Sequence, residues 1–135
     1  MKRNGFVVLT SSFVLLVAAM PVLAHHSFAS AFDANQPVTV HGVITEVRLE
    51  NPHSWFFLNV KDANGKVEKW GFEASTPTSL IRSGVKPGFI KAGDEVTIKG
   101  WHARDATQNI GAARELVVSD GRAFAVGPAV GPGTR

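Results

Sequence analysis

The sequence predicts a small, mainly β domain closed into a barrel, with one short helix. Two observations carry that expectation. Apolar residues recur at alternate positions in short runs bounded by turn residues, and a single stretch from Ser75 to Gly84 has the start and stop signals of a helix. The first strand runs from about Val38 to Leu49, with apolar residues at even positions (Val38, Val40) and then at odd ones (Val43, Val47, Leu49). Gly42 stands at the change of phase, where a glycine suggests a bulge or a sharp bend. The second strand, Ser54 to Val60, puts Phe56, Leu58 and Val60 on one face and Trp55 and Phe57 on the other. Either both faces are covered, or one is an exposed aromatic platform. The turn Asp62-Ala63-Asn64-Gly65 leads into a third strand, Val67 to Ala74, with Trp70, Phe72 and Ala74 inward and Lys69, Gly71 and Glu73 outward.

Ser75-Thr76-Pro77 offers a capping hydroxyl followed by proline in the first turn, and Gly84 is a natural stop, which leaves a helix of about two turns. Lys91-Ala92-Gly93-Asp94 introduces a fourth strand, Glu95 to Trp101. Ala112 to Ser119 makes the fifth, and the chain returns through Asp120-Gly121 to a short segment around Phe124. The Gly- and Pro-rich residues 127–135 cannot hold a ladder and are expected to form a mobile tail after a single domain spanning residues 25–126. Three strands, a helix, then two strands, with a long bent first strand, is the order of the five-stranded Greek-key barrel called the OB-fold. A small open sandwich is the alternative.

Residues 1–24 read as a secretory signal: Lys2-Arg3, an apolar run from Phe6 to about Met20, then Pro21-Val22-Leu23-Ala24. The apolar run contains Thr10, Ser11 and Ser12 and falls short of the ~20 residues that span a bilayer, so a permanent anchor is the weaker reading. Cleavage after Ala24 starts the mature chain at His25-His26-Ser27-Phe28; Ala29-Ser30-Ala31 is a competing small-x-small site that would remove both histidines. The expected location is the periplasm or the exterior. The signal carries two of the 14 Lys and Arg and none of the 11 acids, so net charge falls from +3 to +1 and attraction to nucleic acid or anionic lipid is not expected. The chain has no cysteine, which excludes disulfides, thiolate metal sites and cysteine catalysis.

Histidine and carboxylate are therefore the strong metal ligands available. An amino-terminal histidine presents its α-amine and its ring together, and a second imidazole from His53 would complete a three-nitrogen site that suits copper. His26 would serve instead or in addition; because adjacent residues of an extended strand point opposite ways, both rings reach one ion only across a turn. The competing reading makes His25 and His26 a solvated terminus and His53 a residue capping the turn after Pro52. Asp33 and Glu73 read as solvated carboxylates by default. The OB-type barrel supplies a second candidate, a ligand surface across strands two and three bearing Trp55, Phe57, Lys69 and Trp70, with Arg48 and Arg104 flanking. Its ligand would be a sugar, a peptide, another small molecule or a protein partner. Trp101-His102 belongs to that surface or caps the barrel. No nucleophile elbow, phosphate-cradling loop or His-Glu-x-x-His occurs, so an enzyme is not expected.

The His-His-Ser-Phe start, Asn51-Pro52-His53-x-Trp55, Trp70-x-Phe72-Glu73, Pro77-x-x-Leu80-x-Arg82-x-Gly84 and Gly93-Asp94-x-Val96 occur in this order. As a set they resemble an uncharacterised family of small secreted bacterial proteins, a domain of unknown function, over about His25 to Phe124. The resemblance implies export and the OB-like fold, with histidines at the positions of His25, His26 and His53. It implies no activity, and His41 and His102 look particular to this sequence.

Overall fold

A computed structural model describes residues 28–127. The expected signal, His25, His26 and the tail from residue 128 onward lie outside the described residues. A helical turn at 28–31 precedes strand β1 (Phe32–Arg48), followed by β2 (Trp55–Lys61), β3 (Val67–Glu73), helix α1 (Pro77–Arg82), β4 (Glu95–Ala103), β5 (Ile110–Val118) and β6 (Ala123–Ala125). Among the described residues no helix is long and apolar enough to cross a membrane.

The strands form a barrel-like ring. β1 pairs antiparallel with β4 through its first part and with β2 through its second, β2 pairs with β3, and β4 with β5. A short parallel contact, Gly71 opposite Ile110 through Glu73 opposite Ala112, joins β3 to β5 and closes the circuit. This is the OB-like connectivity the element order predicts, with β6 added along β5. The interior is filled from all sides: Val40 and Ile44 from β1, Phe56 and Leu58 from β2, Phe72 from β3, Ile98 from β4 and Leu116 from β5 are buried together.

α1 reaches the core through a single side chain, Leu80. Thr76 caps its start, its hydroxyl oxygen accepting the Ser79 amide at 3.3 Å, and Pro77 occupies the first turn. Gly84 ends it with φ at +102°, as expected of a C-terminal stop. The short helix drives Leu80 into the core at full burial, with Val85 and Ile90 following it in.

β1 departs from the reading of its phase. It begins six positions earlier, at Phe32, and the inward set is Val40, Gly42 and Ile44, with Val43 facing out. The phase changes at Thr45, where the register against β2 slips between Ile44 and Glu46, so the bulge lies three residues past Gly42. Gly42 serves a different need. A Cβ there would stand 2.4 Å from the Asn59 carbonyl oxygen, so β1 passes β2 at a distance only glycine permits.

Candidate functional site on the outer face of β2 and β3

Strand alternation sends every second residue of β2 and β3 outward, and pairing sets them in rungs. Trp55 faces Glu73, Phe57 faces Gly71, and Asn59 faces Lys69. On the far side of β3 the parallel pairing continues the first rung from Glu73 to Ala112, and Ala112 in turn pairs with Trp101 of β4. One row therefore crosses four strands: Trp55, Glu73, Ala112, Trp101.

His53 precedes β2 by two residues, after a cis Asn51–Pro52 peptide, and its Nδ1 meets the Glu73 carboxylate. The two side chains are in direct ion-pair contact, which places a carboxylate against one nitrogen of the ring. Glu73 is consequently not the solvated surface acid that its position on an outward face suggested. Its side chain is 19 % exposed, while His53 remains 41 % exposed.

At the other end of the row a small apolar cluster forms outside the barrel. Phe32, Ala103 and Ala112 are buried there under Phe28, Trp101 and Ile110. Phe28 lies edge-on to Trp101 with ring centres 5.6 Å apart and tilts against Phe32 at 5.4 Å. Arg104, expected beside the ligand surface, instead clasps the helical turn: its amide donates to the Ala31 carbonyl at 3.0 Å and its Nε to that of Ala29. Trp101 packs into this outer cluster, whereas His102 lies edge-on to Trp70 with ring centres 5.3 Å apart. Asp33, the other acid considered, folds back on its own turn, accepting the Asn35 amide and the Gln36 side chain. The backbone bond from Asn35 is the main cause holding its pKa below the ordinary range. His41 is spent across the β1–β4 ladder, 3.0 Å from the Thr97 hydroxyl.

The four residues expected on a ligand surface, Trp55, Phe57, Lys69 and Trp70, line one groove of about 670 Å³, together with Arg48 and the 108–110 segment that leads into β5. Trp55 and Phe57 run nearly parallel, 12° apart with ring centres 5.9 Å apart. Gly71 makes room for them: the position a Cβ would take is 3.2 Å from Phe57 and 3.8 Å from Trp55. Trp70 differs from the other three. It points inward, stacked on Phe72 at 5.6 Å, and contributes to the groove from the core side. Arg48 lies over the Phe57 ring at 4.8 Å while its guanidinium holds Glu46 at 2.7 and 3.2 Å, and that bond lowers the Glu46 pKa.

Asn59, Gly71 and the 108–110 segment went unnominated in the sequence. Asn59 and Gly71 were within reach, since the Asp62–Gly65 turn sets the rungs and glycine inside a strand signals close approach. The 108–110 segment was not, because a parallel contact between distant strands leaves no local pattern. Among the described residues no three histidine or acidic side chains gather as a metal cluster. His53 and Glu73 are a pair, and the nominated partners His25 and His26 lie outside the described residues.

Comparison with curated proteins finds no match. Residues 13–112 match the model of a family of unknown function, DUF6152, and with most of its length inside that match the chain belongs to this family.

Proposed function

We propose that this is an exported copper-binding protein in which His53 and the amino-terminal His25 of the processed chain are the ligands, with His26 assisting. One observation supports this above the others: a largely shielded carboxylate, Glu73, lies against Nδ1 of the His53 ring. That arrangement is the one metal-ligating histidines ordinarily use, because a carboxylate on one ring nitrogen orients the other, here Nε2, and raises its basicity. The donor chemistry agrees. Without cysteine, imidazole and amine nitrogens are the softest strong donors left, and nitrogen ligation suits Cu(II). Phe28 is anchored on Trp101 in the row that contains Glu73, and His25 is three residues before it, a span of at most about 10 Å.

The test is a Cu(II) titration of protein whose intact mass proves a start at His25. One copper per chain is expected. Adding one residue before His25 removes the free amine from the ring it chelates with and weakens binding by more than about tenfold, and Glu73→Gln weakens it by about 10- to 100-fold. Correctly processed protein that takes up no copper would sink the proposal.

A further inference from the structure

The groove over β2 and β3 shares a rung with the His53–Glu73 pair but carries a different chemistry. We infer that it is a separate binding site for an acidic oligosaccharide. Its size, about 670 Å³, falls within the ~300–1,000 Å³ of ordinary ligand sites. Its walls are of three kinds, and each matches a part of such a ligand.

The first is aromatic. Trp55 and Phe57 present near-parallel rings along one strand, both leaning over Gly71, where a side chain would otherwise stand. Half-exposed rings of this kind bury the C–H faces of successive sugar units, as aromatic side chains bury other flat apolar faces. The second is amide. Asn59 is exposed at the groove edge and Asn109 is half-buried in it, and neither side-chain amide has a hydrogen-bond partner among the described residues. An amide offers two donors and an acceptor, the complement of neighbouring hydroxyls.

The third is charge. Three charged residues line the groove: Glu46, Arg48 and Lys69. Glu46 and Arg48 satisfy one another in a two-point ion pair, and Arg48 also covers one aromatic ring. Lys69 has no carboxylate partner among the described residues. The groove thus holds one uncompensated positive charge beside the Asn59 rung, which selects a ligand with a carboxylate over a neutral one. A nucleic-acid strand, which stacks on aromatics equally well, needs a run of cations along its phosphates. A single unspent lysine does not provide one.

The experiment uses the full processed chain, freed of metal with a chelator so that the outcome is independent of copper. Two of its three tryptophans, Trp55 and Trp70, line the groove, so tryptophan fluorescence reports occupancy directly. Trigalacturonate is titrated against its carboxyl-reduced neutral counterpart and against a short single-stranded oligonucleotide. The expected result is binding of trigalacturonate, at least about tenfold weaker binding of the neutral sugar, and the same tenfold loss for trigalacturonate in Lys69→Gln. Trp55→Ala, an outward residue whose loss leaves the core intact, abolishes binding as read by titration calorimetry, since the variant lacks one of the two fluorescent reporters, without lowering the melting temperature by more than a few degrees. Equal affinity for the neutral and acidic sugars, binding of the oligonucleotide alone, or no response to trigalacturonate would each overturn the inference. Because metal is absent throughout, none of these outcomes bears on copper uptake.

Discussion

Ser54 lies between His53 and Trp55, and its side chain points the opposite way, into the barrel. Its backbone is well used, the amide donating to Ser75 and the carbonyl accepting from Ala74. Its hydroxyl is fully buried and has no hydrogen-bond partner among the described residues. A hydroxyl desolvated without a partner costs about 1–3 kcal/mol, so Ser54→Ala is expected to raise unfolding free energy by about 1 kcal/mol once the small lost contact area is subtracted. Urea denaturation measures this, and a loss of 1 kcal/mol or more would mean the hydroxyl is bonded in solution. At this scale the sequence revealed residue types more readily than pairings. His53 was legible as a candidate because proline and tryptophan flank it. Glu73 was not, because His53 is twenty residues away and its neighbours along the rung, Trp55 and Ala112, lie on two different strands.

Among the elements, β1 carries the most geometry, since it pairs with β4 through its first part and with β2 through its second. It exchanges partners around Val43, which pairs with Glu95 on one side and Asn59 on the other. Gly42 makes that crossing possible. Gly42→Ala places a methyl group against the Asn59 carbonyl oxygen, a backbone atom that cannot swing aside, and is expected to cost about 1–3 kcal/mol. In a domain of this size that lowers the melting temperature by about 4–8 °C for each kcal/mol, and a thermal melt within 1 °C of the parent would contradict the close approach. The same element shows where pattern reading stops. The caps of α1 were legible because Thr76, Pro77 and Gly84 act within one turn of chain. The start of β1 was hidden by the polar run Asp33-Ala34-Asn35-Gln36, and the bulge at Thr45 by two valines, Val43 and Val47, that share a parity in sequence but face opposite sides in the fold. The closing contact of β3 with β5 was implied by the element order and by nothing local.

At the scale of the molecule, several charges of the described residues pair with near neighbours in sequence (Glu46–Arg48, Lys91–Asp94, Asp120–Arg122), and such local contacts set the response to acid. Four carboxylates are held below their ordinary range: Asp33 mainly by the Asn35 amide, Glu46 by the Arg48 guanidinium, Asp105 by the Thr107 hydroxyl and Asp120 by the Arg122 amide. In the unfolded chain each returns to about 4. A carboxyl more acidic in the folded state than in the unfolded one adds stability that is complete above the unfolded value and is lost as pH falls through the folded value. These four groups therefore contribute fully above about pH 5 and progressively less below about pH 4. All are at the surface, so the decline is expected to be shallow. Salt divides them by cause. At 1 M the screening length is about 3 Å, which weakens the Glu46–Arg48 ion pair and the smaller part the Arg122 guanidinium plays at Asp120, but not the hydrogen bonds that Asp33, Asp105 and Asp120 accept from neutral groups. Melting temperatures from pH 7 to pH 2.5, at low salt and in 1 M NaCl, should fall on the acid side in both series, with the smaller fall in salt. Stability that rises between pH 5 and pH 3 would contradict the assignment of all four groups, and an acid limb abolished by salt would assign it to the ion pairs and leave the turn carboxylates without a part.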